Sequence, residues 1–438
     1  MATFASLPRG LLRRGDTGLW LAAGAVGLSL LALVALLAVL LQQALRAFTP
    51  APVAELRWNS GGAEHTLIAA VVEQDARALI VRGSEWQRRG AEYRRIARAD
   101  LIQLDWPADA LTLHLRDGRE LHLRGDATAW RNSPLAVLPQ APAGVVLSAA
   151  DVEDVVAVNQ LTTIRTMRLV LQRSWRFVAG APDTGGGVYP ALVGTVVLVL
   201  LMSVLVMPLG VLLALWLHEY AGSGRAARVL RAAMANLAGV PAVIYGLFGL
   251  VLFVNGVGGG LDALLHSDVP RWGGGGLLWS SLTLALLTLP VVVIATEEGL
   301  ARVPSSLRQA ALALGATRAE MLWRVVLPVA RPALLTALIL AVARAAGEVA
   351  PLMLVGAVKY APSLPLDGEF PYLHVSRQFM HLGQSVYDLA LSGSDALRDP
   401  AQAHAAALLL LLIVVVGLNA AAIVVRNRLR ERARELAI

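Results

Sequence analysis

Cysteine is absent from the 438 residues of this chain. Disulfides, thiol nucleophiles and cysteine-ligated metals are thereby excluded. Lysine is nearly absent, since Lys359 stands alone. No G-x-x-x-x-G-K-S/T run surrounds it, so the chain carries no P-loop ATPase of its own. No H-E-x-x-H pair, Ser-His-Asp order or pair of catalytic acids stands out. The expectation is a protein that is not an enzyme, with no catalytic residues, no metal site and no cofactor. Charge is scarce as well. Charged residues make up 16% of the chain and hydrophobic ones 56%, whereas soluble proteins are about 25% charged. With a mean hydropathy of +0.61, most of the chain must be dissolved in lipid. The net charge of +7 and pI near 10.3 would suit nucleic acid. The arginines, however, cluster at the ends of apolar runs, where membrane topology places them.

Six runs are long enough to span a bilayer, which takes about 20 helical residues. They extend from Leu19 to Leu45, Tyr189 to Leu217, Met234 to Val254, Leu277 to Ala295, Ala333 to Ala357 and Ala403 to Val425. The first has a longer apolar core than the roughly 7–15 residues of a signal peptide. Leu41-Gln42-Gln43 after it is a poor cleavage site, so it is expected to be retained. Arg9, Arg13 and Arg14 precede the first run, and Arg225, Arg228 and Arg231 lie between the second and third. Arg302, Arg308, Arg318, Arg324 and Arg331 lie between the fourth and fifth, and Arg426 to Arg434 follow the sixth. With six spans, all four clusters fall on one side, which is the cytoplasmic side, with both termini.

Three parts result: residues 1–46, an insert at 47–187 on the outer side, and a five-span core at 188–438. In the insert, Leu111 to Arg116 and Glu120 to Arg124 alternate with period two around Asp117-Gly118, a hairpin signal. Val71-Val72 and Ala78 to Arg82 suggest further strands, and Asp151 to Phe177 shows a helical period. A small α/β or mostly β domain is expected, long enough to bury its own core. His65, His114 and His122 are candidate ligands, the last two facing each other or nearly so across the hairpin. No third ligand has a recognisable spacing, so solvent-face histidines are the better reading.

Two features of the core carry chemistry. Gln309-Ala310-Ala311 is followed by Gly315 and, ten to thirteen residues after that glycine, by Val325-Val326-Leu327-Pro328. Small residues permit close approach by another protein, Gly315 permits a sharp turn, and Pro328 is expected to end a second short helix. In span five, Arg344 lies about 11 residues, or roughly 17 Å, from the start of the run. Glu348 follows at i+4 on the same face, and Pro351 one turn later. Intramembrane charge marks function by default. Either the two residues pair and lock the bundle, or Arg344 lies on an anion's path, its guanidinium fork suiting oxyanions, while Glu348 holds or releases the anion. Glu297 and Glu298 end span four and are expected to contact the Gln309 helix. His218 and Glu219 end span two in the same way.

The 309–328 spacing resembles the cytoplasmic coupling motif of ABC-importer permeases, with Gln309 in place of a glutamate and Val325 in place of an isoleucine. Asn236 to Leu250, Leu289 to Glu298 with Val303 to Arg308, and Ala343 to Pro351 resemble the phosphate-specific permease family PstA. The resemblance is close from Tyr189 to Val358, loose in span six and positional in span one. It implies a mostly α, MetI-like type I permease core with six transmembrane helices in a bacterial inner membrane. It further implies a coupling helix at about 306–326 and ATPase contact through Gln309, Ala310, Ala311, Gly315, Leu327 and Pro328. The implied partners are a second permease similar to PstC, ATPases similar to PstB that use ATP and Mg, and a periplasmic phosphate-binding protein similar to PstS. Permeation of another oxyanion, or a phosphate-sensing scaffold signalling to a sensor kinase, remains open. The insert and the long loops Asn255 to Gly276 and Tyr360 to Pro400 depart from short family members.

Overall fold

The computed structural model describes residues 16–46, 48–84, 93–115, 119–125, 151–179, 188–222, 224–266 and 271–391, with Gly417, Val424 and Asn427. The sixth predicted run apart from Gly417 and Val424, the arginines beside both termini and the Asp117-Gly118 turn lie outside these residues. Among the described residues five helices are long and apolar enough to cross a membrane. The first, α1, runs Asp16–Arg46 and is exposed along its apolar length, from Leu21 to Leu41.

The insert holds two antiparallel sheets. One has the order β4-β3-β2-β1-β5 and the other β7-β6-β8. β1 is Val53–Ser60, β2 Ala63–Gln74, β3 Ala78–Gly83, β4 Tyr93–Ala97 and β5 Leu101–Asp105. β6 is Ala110–Leu115, β7 Glu120–Arg124 and β8 Val152–Val156. The period-two alternation at 111–115 and 120–124 thus becomes the pair β6 and β7. Leu111, Leu113, Leu115, Leu121 and Leu123 form a shared apolar face. The helical expectation for 151–177 fails in its first part. Val152–Val156 pairs with β6 instead, because three of its five residues are β-branched valines and the edge of β6 is open to take them. The helix α2 begins only at Thr163 and ends at Ala179.

The core begins with α3, Tyr189–Tyr220. It packs against α6, Leu277–Ala301, and against α8, Arg318–Gly347. α8 offers Ala337, Ala341 and Ala345, spaced four apart, to Leu198, Met202 and Val206 of α3 and Leu284 and Val292 of α6. Such a small-residue stripe lets membrane helices approach closely. Three buried hydroxyls of α6 bond back along their own helix, Ser281 to Leu277, Thr283 to Trp279 and Thr288 to Leu284, whereas Ser280 Oγ and Thr296 Oγ1 are buried without a hydrogen-bond partner among the described residues.

Two predicted spans have different boundaries. The run expected from Met234 is interrupted: α4 covers Arg225–Ala238, and a new helix, α5, covers Ala242–Leu264. Pro241 lacks an N–H, which suits it to the cap immediately before α5. Span five is also broken. α8 stops at Gly347, Glu348 is extended with φ −84° and ψ 118°, and a short helix α9 resumes at Ala350–Val355. Pro351 has no N–H to donate to the Gly347 carbonyl four residues back, and its ring crowds that carbonyl, so one continuous apolar run folds as two pieces, with Pro351 in the first turn of α9.

Residues beyond α9 return to the bundle. Gly276 and Leu277 donate to the carbonyls of Val355 and Arg377, and Val358 donates to Phe379. Leu382 donates to Thr195 Oγ1 of α3 at 2.9 Å and starts α10, Leu382–Leu391, within what the sequence suggested was only a long loop. Phe379, Met380, His381 and Gln384 are buried there. The insert adjoins this end of the bundle, because Phe177 of α2 packs with Val188 and Ala191 at the start of α3.

Candidate functional site

At the opposite end of α3 lies the Gln309 segment. Its first helix, α7, is Ser305–Ala313. Gly315 takes φ +86°, the left-handed geometry that glycine adopts without strain. Thr317 then caps α8 in a capping box with Glu320. The expectation that Pro328 ends a second short helix is overturned, since α8 continues through it to Gly347. The turn at Leu322–Val326 widens, with Leu327 N–H donating to the Leu322 carbonyl. A proline lacks an N–H, and a local i to i+5 turn absorbs the missing bond and the ring.

Arg308 anchors α7. Its Nη1 and Nη2 donate to the carbonyls of Val303 and Leu300 at 2.6 and 2.9 Å, in the turn that closes α6. Its Nε donates to Glu219 at 3.1 Å. Arg231 makes a parallel tie, donating from Nε to Glu297 at 2.8 Å and from Nη2 to the Leu217 carbonyl at 2.9 Å. Glu297 therefore meets α4 and not α7, and Glu219 is the acid that holds α7. From sequence Arg308 and Arg231 served only as markers of topology. The available signal for a structural tie was their position about three turns' length after an acid-bearing helix end.

Helical phase divides the motif residues. Gln309, Ala310, Leu312 and Gly315 are exposed, whereas Ala311 is buried. Ala311 packs with Leu217, Leu300, Met321 and Leu322, and Leu327 joins the same cluster. Of the residues expected to meet a partner, Ala311 is thus one that packs within its own chain. At 100° per residue its face is the one turned toward Val303 and Arg308, so its small side chain serves packing within the chain. The outward apolar positions are Leu307, at 40% exposure, Leu312, at 42%, and Leu314, at 90%.

Arg344 lies in the last turn of α8 and Glu348 in the break. Arg344 Nε stands 3.6 Å from Glu348 Oε1, too far for a hydrogen bond. That buried nitrogen has no hydrogen-bond partner among the described residues. Gly246 of α5 faces the break, and a Cβ there would stand 2.6 Å from Pro351 Cα. Tyr245, the preceding residue, is held by a 2.7 Å bond to the Leu237 carbonyl. On the far side, a Cβ at Gly383 would stand 2.6 Å from Val349 Cγ2. The break is thus held between α5 and the 380–384 segment. Gly383 N–H donates to His381 Nδ1 at 3.1 Å, which leaves the ring proton on Nε2. Burial lowers the His381 pKa to about 4.

The histidines of the insert do not assemble a metal site. By register His114 opposes Glu120, and His122 opposes Thr112, so the two rings are diagonal neighbours. His114 Nδ1 lies 3.2 Å from Glu120, and Arg173 of α2 reaches His114 Nε2 at 2.6 Å. Arg82 pairs with Glu120 as well. Burial, aided by the Arg82 charge, lowers His122 to about 3. His65 stacks on Trp58 with centroids 5.3 Å apart. Among the described residues no cluster of three potential metal ligands exists.

Residues 206–434 match the family model described as "Binding-protein-dependent transport system inner membrane component". The phosphate transport system permease protein PstA 1 of Mycobacterium tuberculosis is 39% identical over 182 residues, 42% of this chain and 54% of that protein. A probable phosphate transport system permease protein PstA of Methanocaldococcus jannaschii is 31% identical over 211 residues, 47% of this chain and 68% of that protein. The chain spans about half the length of the mycobacterial relatives it matches. Among solved structures, the inward-facing MetNI methionine ABC transporter is 20% identical with a TM-score of 0.38, covering 59% of this chain and 97% of that one. The chain belongs to the family of binding-protein-dependent transport system inner membrane components, and within it is similar to the PstA permeases of phosphate transport systems.

Proposed function

We propose that this chain is one permease subunit of an ATP-driven importer for phosphate, with Arg344 on the anion's path. The observation that carries the reading is the broken span five. It leaves the guanidinium of Arg344 beside Glu348 without closing a hydrogen bond between them. A charged donor held within the bundle but not consumed by its neighbour is suited to a mobile oxyanion. Glu348 competes with the anion for the same donor, which keeps binding weak enough for release. The curated relatives named as phosphate permeases favour phosphate over other tetrahedral oxyanions.

The motor belongs to other chains. Two ATPase subunits similar to PstB, using ATP and Mg, would dock on Leu307, Gln309, Ala310 and Leu314. A second permease similar to PstC would complete the pathway, and a binding protein similar to PstS would deliver phosphate from the periplasm. The Gln309 end faces the cytoplasm of a bacterial inner membrane, with both termini, and the insert faces the periplasm. ATP binding closes the ATPase pair and displaces α7. The ties from Arg308 to Glu219 and to the end of α6 pass that displacement into α3 and α6, changing access to the break.

The test is ATP-dependent uptake of labelled phosphate into proteoliposomes holding the assembled transporter and its binding protein. Uptake by the wild type and its loss in Arg344→Gln is the expected result. An assembled, ATP-hydrolysing complex that takes up sulfate or molybdate but not phosphate would overturn the substrate assignment.

A further inference from the structure

The helix α2 has three partners around its circumference and one face with none among the described residues. Val170 and Phe177 pack on Leu45 and Phe48 after α1 and on Val188 and Ala191 at the start of α3. Arg173 reaches His114 of β6, and Arg176 reaches Glu153 of β8 at 3.0 Å. Ile164, Met167, Leu171 and Trp175 are 83, 60, 61 and 70% exposed. At 100° per residue these four lie within about 80° of one another. Arg173 is on the opposite side of the helix, so the sheet sits above α2 and the apolar stripe points away from it.

Two observations identify what covers the stripe. The inner face of α2 rests on the ends of two membrane-spanning helices, α1 and α3, so α2 sits where the bundle leaves the bilayer. The adjoining helix α3 is itself exposed at apolar positions that a bilayer would cover, Tyr189, Val196, Leu200 and Val204. Charge agrees with this placement. Arg168 and Arg165, both exposed, follow the stripe on its edge away from the protein core, at the level where lipid phosphates lie. A basic amphipathic helix with Trp, Leu, Ile and Met on its other face is the pattern of one lying in the membrane interface.

We infer that α2 is an interfacial anchor that inserts Ile164, Met167, Leu171 and Trp175 into the phospholipid leaflet on the insert side. Arg165 and Arg168 meet the headgroup phosphates. The anchor fixes the height and orientation of both sheets over the bundle, since α2 carries the polar contacts to His114 and Glu153. It is independent of the substrate and of the motor.

The cysteine-free sequence permits a direct test on the full chain. Single cysteines at Ile164, Met167 or Leu171 and, as controls, at Thr166 or Gln172 are labelled with an environment-sensitive fluorophore. The labelled chains are reconstituted in vesicles of phosphatidylethanolamine and phosphatidylglycerol with or without lipid bearing a nitroxide on its acyl chain. Probes at 164, 167 and 171 are expected to lose most of their fluorescence to the nitroxide, and those at 166 and 172 to keep most of it. Equal quenching at all five positions would overturn the orientation. No quenching at 164, 167 and 171, with or without protection on assembly with a partner protein, would overturn the lipid contact.

Discussion

Arg308 Nε and Nη2 lie 3.1 and 3.0 Å from the same oxygen of Glu219, joining the helix that bears Gln309 to the end of a membrane-spanning helix ninety residues earlier in the chain. Both side chains are largely buried. Truncating one partner therefore strands the other charge, and the cost exceeds that of an exposed pair, which is at most about 1 kcal/mol.

A double-mutant cycle of Arg308→Ala and Glu219→Ala should show a coupling energy of about 1–3 kcal/mol, read from unfolding of the purified chain in detergent. Arg308→Ala should be the more damaging single change, because it also abandons the carbonyls of Leu300 and Val303. Additive single effects would show that the contact contributes nothing net.

Ala311 and Leu314 should separate folding from assembly. Ala311→Asp places a carboxylate in the cluster of Leu217, Leu300 and Met321 and should lower stability by about 3 kcal/mol or more. Leu314→Asp alters a side chain that is already 90% exposed and should leave the melting temperature unchanged while reducing co-purification of the ATPase. A normal complex from Leu314→Asp would remove that position from the docking surface.

Arg344→Lys should be an intermediate phenotype. The charge survives but the planar fork does not, so phosphate uptake should fall by about tenfold, against about a hundredfold for Arg344→Gln, where the charge-assisted bond worth about 1.5–3 kcal/mol is lost. Equal uptake by the lysine variant and the wild type would mean that bidentate contact plays no part.

His381 predicts a pH dependence. Its folded pKa is near 4, below the ordinary value of 6.5, so the unfolded chain binds more protons between those values. Stability is then full above about pH 6.5 and declines as pH falls toward 4, by an amount on the order of 3 kcal/mol. Unfolding of the wild type and of His381→Gln across that window checks it. The glutamine variant should lose the His381 share of this slope and keep that of His122, which has the same sign and, with a folded pKa near 3, is no smaller. An unchanged slope would show that His381 is not the titrating group.

Single-chain regularities determined much of this molecule. Long apolar runs were enough to locate α1, α3 and α6, since bilayer thickness fixes helix length, whereas the runs from Met234 and Ala333 folded with other bounds. Period-two alternation was enough for β6 and β7, because one face of each strand is buried. The small residues and the glycine at 309–315 marked a sharp turn, and Gly315 does adopt positive φ. What sequence could not decide depended on groups far apart in the chain. Val152–Val156 became a strand because β6 had an open edge beside it. Ala311 turned inward because of where Leu217 and Leu300 stand, and Glu219 in place of Glu297 met α7 because bundle packing brought α3 to Arg308. The break at Glu348 was encoded by Pro351 yet hidden within an apolar run. Its consequence, an Arg344 nitrogen near an acid but not bonded to it, arises only when α5 and the 380–384 segment hold both sides of the break. Local periodicity follows from the backbone alone, whereas the partner of a charged side chain is chosen by which helices the tertiary fold brings together.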